Sequence, residues 1–158
     1  NDSSIGIGMV HGMLEAREAG DDYPWIDPVK DAYELAQVKY KSEKTCVIYL
    51  GGGVPKNYIQ QTEVISEILG HDPGGHQYAL QMTVDAPYWG ALSGCTLEEA
   101  QSWGKISKNA KKATAYCDMT IGLPLLATAL FQNRAAWEGR DRLDFQYDGN
   151  GDLELSLR

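Results

Sequence analysis

The apolar positions along this chain change period several times, and each change marks an element. "PWIDPVKDAYELAQVKYKSEK" sets Val29, Ala32, Tyr33, Ala36 and Tyr40 at helical spacing, with Asp27 suited to the N-cap and Pro28 to the first turn. "TCVIYLGGG" is a short β-branched run ending in three glycines, which predicts a buried strand that stops at Gly51. The helical period returns in "PKNYIQQTEVISEILG", with Pro55 at its start, Ile59, Ile65, Ile68 and Leu69 as the apolar stripe, and Gly70 at its end. "HDPGGH" is turn chemistry, "QYALQMTV" the next strand, and "DAPYWGALSGC" a loop. A short helix follows in "TLEEAQSWGKIS", then a strand within "ATAYCDMTIGLP" and a helix in "LPLLATALFQNRAAWEG". "RLDFQYDGNGDLELSLR" alternates apolar and polar residues on both sides of "DGNG" and predicts a hairpin. The opening "NDSSIGIG" reads as a glycine-rich loop.

Alternating strands and helices define an α/β class with a mostly parallel sheet flanked by helices. The alternating tail adds a C-terminal β-hairpin extension, so the chain divides into residues 1–142 and a hairpin at 143–158. Composition narrows the partners. A formal net charge of −8 and a pI of about 4.8 exclude the basic surface that nucleic acid requires, and such a field favours cationic substrates. No apolar run approaches the ~18 residues that span a bilayer, and the start lacks the basic and apolar regions of a signal peptide. Neither membrane nor nucleic acid is an expected partner. Cys46, Cys95 and Cys117 show neither pairing nor metal spacing, which predicts reduced, mostly buried thiols in a cytoplasmic protein. His11, His71 and His76 have no metal-ligand spacing, and no Gly-x-Ser-x-Gly elbow is present, so no metal or serine-hydrolase site is expected.

Three stretches can carry chemistry. In "IYLGGGVPKNYI", glycines between a strand and a helix start let backbone N–H groups approach an anion; the spacing is not G-x-G-x-x-G, and a tight connection explains the glycines as well. Asp118 in "AYCDMT" ends a strand, where a carboxylate can accept from a ribose hydroxyl or simply cap a turn. In "TLEEAQSWGKIS", Thr96 and Glu99 form a capping box, and Glu99 and Trp103 share a face. Gly104 is a natural C′ residue. It ends the helix and lets the chain swing Lys105 back toward Trp103. An amine held against indole loses hydration and exposes a nucleophilic lone pair. A solvated lysine at a helix C-terminus is the plainer alternative.

Taken together, "GGGVPK", "EEAQSWGKI" and "YCDMTIGLPLL" resemble the C-terminal half of deoxyhypusine synthase, over about Asp2 to Leu130. The resemblance implies a Rossmann-like fold, a homo-oligomer built as a tetramer of paired subunits, and NAD as cofactor. It implies a reaction in which an amine such as spermidine is oxidised, its aminobutyl fragment is held on a lysine as an imine, and the fragment then passes to an acceptor amine. By position, Lys105 matches the imine-forming lysine. Trp103 and Glu99 match residues of the amine site, and Gly51, Gly52, Gly53, Asp118 and Asp2 match cofactor contacts. Asn57 stands where the family has a histidine, Gln61 where it has an asparagine, and Ile7 and Leu92 where it has aspartates. Neutral groups cannot pair with an ammonium as carboxylates do, so the resemblance implies an NAD-dependent transferase with an altered amine site. The alternatives are a non-catalytic regulatory subunit and a module that binds NAD or an amine. The family's sites draw on both halves of a longer chain, so an N-terminal half or a companion chain is an expected partner, with a small amine as substrate.

Overall fold

The computed structural model describes residues 4–23, 25–90 and 94–158. Five helices, α1 (Ser4–Ala19), α2 (Pro28–Lys41), α3 (Val54–Ile68), α4 (Leu97–Ser102) and α5 (Met119–Gln132), are interleaved with strands β1 (Cys46–Leu50), β2 (His76–Met82) and β3 (Ile106–Ala115). A hairpin of β4 (Leu143–Tyr147) and β5 (Leu153–Leu157) closes the order. The three strands form a parallel sheet in the order β1-β2-β3, so the α/β class with a hairpin extension holds.

Local chemistry accounts for most boundaries. Asp27 accepts from the amides of Val29 and Lys30, both at 3.0 Å, and Pro28 opens α2. Gly70, at φ +86°, ends α3 in a Schellman turn whose bonds run from Gly70 N–H to Glu67 O and from His71 N–H to Ser66 O. The hairpin pairs Leu143 with Leu157, Phe145 with Leu155 and Tyr147 with Leu153. Its turn is held on α2: the Tyr33 hydroxyl donates to Asp152 at 2.6 Å, and Gln37 both donates to Gly151 O and accepts from Leu153 N–H.

Several expectations need correction. The strand expected within "ATAYCDMTIGLP" is Ile106–Ala115, which reaches that stretch only at its last residues, and β1 is buried on one face only. The start is not a loop, because Ser4–Ala19 is helical. Its glycines cost ~1 kcal/mol each in a helix, and Met9, Val10 and Met13 on it border a hollow shared with Tyr23, Trp25 and Ile26. The inward face of α3 is also not the apolar stripe. Lys56, Gln60, Thr62, Glu63 and Ser66 are buried while Ile68 is exposed. Glu63 pairs with Lys39 of α2 and accepts from Gly75 N–H, Lys56 donates to Cys95 O, and the Thr62 and Ser66 hydroxyls donate to carbonyls of their own helix. Finally, the thiols are not mostly buried: Cys46 is exposed and Cys95 and Cys117 are half-buried. Cys46 alternates outward with Ile48 and Leu50 on β1.

The core is small, formed by Val47, Tyr49, Ala79, Leu97, Ala100 and Ile106 on one face of the sheet. Ile48, Leu50 and Tyr78 stand uncovered on the other. Helices α1 and α5 bury no residue, although α5 carries Ile121, Leu123, Leu125, Leu130 and Phe131. A parallel sheet is ordinarily covered on both faces, so these surfaces are the natural seat of further protein. No helix among the described residues is long and apolar enough to cross a membrane.

His76 opens β2 nearly fully buried, with Nδ1 2.8 Å from Thr45 Oγ1 and no partner for Nε2. Burial, then the charge of Lys39, lowers its pKa from the ordinary 6.5 to about 4. The unfolded chain therefore takes the proton first, and stability present above pH 6.5 is lost as pH falls toward 4. At ~1.4 kcal/mol per tenfold, the loss reaches ~3 kcal/mol. Denaturant midpoints of the complete protein at pH 7 and pH 4.5 should show it, and His76→Gln should flatten this part of the profile.

Candidate functional site

The carboxyl ends of the strands of an open parallel sheet are where ligands bind, and a cavity lies there. It encloses about 420 Å³ and is lined by Gly51, Gly52, Gly53, Met82, Thr83, Val84, Asp85, Gly90, Cys117, Asp118, Met119 and Thr120. The structure thus gathers the three glycines and Asp118, from two separate stretches, around one hollow. Gly51 and Gly53 sit at φ +80° and +92°, and a Cβ built at either would meet no atom within 4 Å. Among the described residues the space beside this backbone is open. Gly53 caps α3 without any side-chain hydrogen bond, which leaves first-turn amides free for an anion.

Asp118 caps α5 and also faces the cavity. Its Oδ1 accepts from the Thr120 amide at 2.8 Å and the Thr120 hydroxyl at 2.6 Å. These bonds hold its carboxyl below the usual range, so it is an anion at neutral pH. The structural and the ligand-binding roles coexist, because Oδ2 stays clear of both bonds. Volume, open glycine backbone and an ionised carboxylate fit a dinucleotide at this place. Thr83 and Asp85, at the end of β2, are cavity residues that the sequence reading missed. Their signal was the "TVD" at the carboxyl end of a predicted strand, and the Asp85 amide donates to Thr83 Oγ1 at 3.2 Å.

Lys105 lies at the other end of the sheet. Thr96 caps α4 by accepting from Glu99 N–H at 3.1 Å. The helix ends in a Schellman turn, with Gly104 N–H bonded to Gln101 O and Lys105 N–H to Ala100 O. Gly104 is at φ +77°, as its C′ position requires. Lys105 is half-buried and precedes β3 directly. Trp103 is 70% exposed. The cation–π contacts among the described residues are Lys41 on Tyr40, Lys56 on Tyr49 and Arg134 on Phe131, not Lys105 on Trp103. Glu99 is exposed and forms no salt bridge among the described residues, whereas Glu98 pairs with Lys112 at 3.1 Å. Asn57 is half-buried on the first turn of α3, its amide bonded to Gly53 O, and Gln61 is exposed one turn later. Asp2 and Leu92 lie outside the described residues. Ile7 is exposed on α1.

The desolvated amine is Lys56. Only 2% exposed, it donates to Cys95 O and sits 5.5 Å from the Tyr49 ring. Burial pushes its pKa down against the attraction of Cys95, Glu99 and Glu98, and the charge of Lys105 adds to the lowering. Sequence reading passed over it as a helix-start lysine; the clue was the polar series Lys56, Gln60, Glu63 at i, i+4, i+7. Lys56 also borders a second hollow, of about 240 Å³, that shares Gly51 and Gly52 with the first. It therefore stands between the glycine loop and the Lys105 turn. The two ends themselves do not share a cavity. His76, whose amide bonds to Lys105 O, opens β2, and Met82 closes it at the cavity. Seven residues rising ~3.3 Å each separate these levels by ~20 Å, beyond the reach of a lysine side chain.

The structure is thus a parallel α/β unit with a cavity of about 420 Å³ at its strand ends and a lysine on a helix-to-strand turn. The family model for deoxyhypusine synthase matches residues 1–130, and the chain belongs to that family. It is 51% identical over 156 residues to the probable deoxyhypusine synthase 2 of Methanosarcina acetivorans, covering 93% of this chain and 44% of that relative. The probable deoxyhypusine synthase 2 of Archaeoglobus fulgidus is 54% identical over 129 residues, which is 82% of this chain and 41% of the relative. The deoxyhypusine synthase-like protein of Chlorobaculum parvum is 40% identical over 146 residues, or 92% and 40% of the two chains. The chain thus spans less than half the length of these curated relatives.

Gly104→Ala should cost ~1–2 kcal/mol, the penalty of a left-handed residue with a Cβ, and Gly104→Asn less. Chemical denaturation of the three proteins side by side measures the order.

Proposed function

We propose that this chain is part of an NAD-dependent alkylamine transferase of aminobutyl type, with a rebuilt amine site. The observation that carries the reading is that one chain keeps both the open glycine cavity with ionised Asp118 and the Lys105–Trp103 turn. Gly51, Gly52 and Gly53 would hold the dinucleotide's phosphates against the start of α3, and Asp118 a ribose hydroxyl. When bound, NAD accepts hydride from the carbon beside the donor amine and later returns it. Glu99 holds an ammonium end of the substrate and Trp103 covers its alkyl chain and cation. Lys105 Nζ attacks the oxidised carbon, the departing amine leaves with the proton that Nζ gives up, and the fragment stays on Nζ as an imine. An acceptor amine then displaces Lys105. Apolar walls keep water from this intermediate. Asn57 and Gln61 line the amine site as hydrogen-bonding groups and supply no base; with Ile7 and Leu92 where the family has aspartates, the donor differs from one gripped by carboxylates.

The ~20 Å between Lys105 and the cavity favours a site shared between copies, with the Lys105 end of one subunit meeting the cavity of another. The uncovered sheet face, α1 and α5 are the surfaces on which the remaining half of the protein, or a companion chain, would pack. Three free thiols suit a reducing, cytoplasmic setting. A non-catalytic regulatory subunit is the second reading, favoured by Asn57 where the family has a histidine.

The complete assembly should be incubated with NAD and spermidine, putrescine, agmatine or homospermidine, then treated with borohydride and mapped by mass. An adduct on Lys105, lost in Lys105→Ala and kept in Lys56→Met, is the expected result. Unchanged activity in Lys105→Ala would select the regulatory reading. A mixture of Lys105→Ala and Gly52→Asp chains should recover about a quarter of wild-type activity, since half of the random pairs carry one intact shared site of two. A mixture without activity would mean that each chain builds its own site.

A further inference from the structure

The turn that carries Lys105 is gripped from behind by the "HDPGGH" segment. Gly75 lies so close to this turn that a Cβ on it would stand 2.5 Å from Gly104 O, 2.6 Å from Ser107 N and 2.8 Å from the Ile106 carbonyl carbon. Gly75 is also at φ +74°, so any other residue is strained there twice over. Its neighbour His76 donates its amide to Lys105 O at 3.1 Å. Behind Gly75 lies a buried ion pair, Lys39 with Glu63 at 3.3 Å, each side chain 3% exposed. Glu63 Oε1 accepts from Gly75 N–H at 2.8 Å, and Lys39 Nζ donates to Gly75 O at 3.1 Å and to Pro73 O at 3.4 Å. Both backbone groups of Gly75 are thus held by buried charges, which make the stronger kind of hydrogen bond. On the far side, Gln101 Nε2 donates to Ser107 O at 2.8 Å and to Lys108 O at 2.6 Å.

We infer that Gly75 and His76, anchored by the Lys39–Glu63 pair, are positioning residues that fix the Lys105 turn. The inference rests on the reading of Lys105 as the nucleophile. Burying two charges to hold one glycine is costly as a stabilising device, and the pair supplies direction instead. It joins α2 and α3 to the backbone that aims the lysine. A misplacement of ~1 Å at a reacting group can cost ~100-fold in rate, so an anchor of this kind acts on the rate of adduct formation rather than on amine binding.

The test uses the complete enzyme with Gly75→Ala, Glu63→Ala and Glu63→Gln. One readout is the rate at which trinitrobenzenesulfonate labels Lys105, referred to the exposed Lys44 in the same sample. The others are hydrogen exchange at the His76 amide, and the kcat and KM of borohydride-trapped adduct formation from whichever of spermidine, putrescine, agmatine or homospermidine gives the most adduct. Glu63→Ala and Gly75→Ala should change Lys105 labelling and speed His76 exchange by roughly tenfold, and lower kcat by roughly 10- to 100-fold with KM unchanged. Glu63→Gln keeps an acceptor for Gly75 N–H and should fall between wild type and Glu63→Ala. If Gly75→Ala does not fold, the Glu63 pair of variants decides. Labelling and exchange within twofold of wild type in the folded variants would overturn the inference. Should wild type form no Lys105 adduct, the nucleophile reading fails, while labelling and exchange still decide whether the clamp exists.

Discussion

Strand β2 is the member on which both ends of the candidate site depend. At its start, the His76 amide bonds to Lys105 O; at its end, Met82 O accepts from Gly51 N–H and Thr83 N–H donates to Ala115 O. One strand therefore sets the height of the lysine turn and of the glycine loop on opposite rims of the same sheet. Parallel pairing on both sides makes this spacing rigid, since neither neighbour can slip without turning its side chains to the wrong face. The register shift between His76 and Tyr78 is the one irregularity in the ladder, and it lies beside the lysine turn.

Much of what the molecule buries between α2, α3 and the sheet is polar: Gln37, Lys39, Lys56, Gln60, Glu63 and His76. Most of these groups have named partners, and apart from the Lys39–Glu63 pair itself many of those partners lie in a loop or an added element. Gln37 reads the hairpin, Lys39 and Glu63 read Gly75, and Lys56 reads Cys95. Buried polar contacts add little net stability but specify geometry, because an unsatisfied partner is expensive. The apolar surface, by contrast, is largely spent outward, on α5, α1 and the bare sheet face, as suits a chain that spans less than half of its relatives.

The α/β class, the hairpin, the Asp27 cap, the Gly104 ending and the strand that stops at Gly51 were legible in the sequence. Each rests on local chemistry: a side chain that caps, a glycine that tolerates positive φ, an alternation that matches a pleat. The helix at Ser4–Ala19 was hidden because its glycines outweighed the apolar pairs in a local reading. Lys56 was hidden because a lysine in a first turn looks solvated until the Cys95 loop is folded over it.

Sequence alone also brought forward the candidate site residues, Lys105, Trp103, Glu99, the three glycines and Asp118, since their residue types and order make the resemblance. Only the tertiary structure decided how they are arranged. It gathered Gly51–Gly53 with Asp118, set Lys105 some 20 Å away along β2, and laid Gly75 against the lysine's turn. Those outcomes depend on strand register and on close backbone approach between residues far apart in the chain, which no local periodicity encodes.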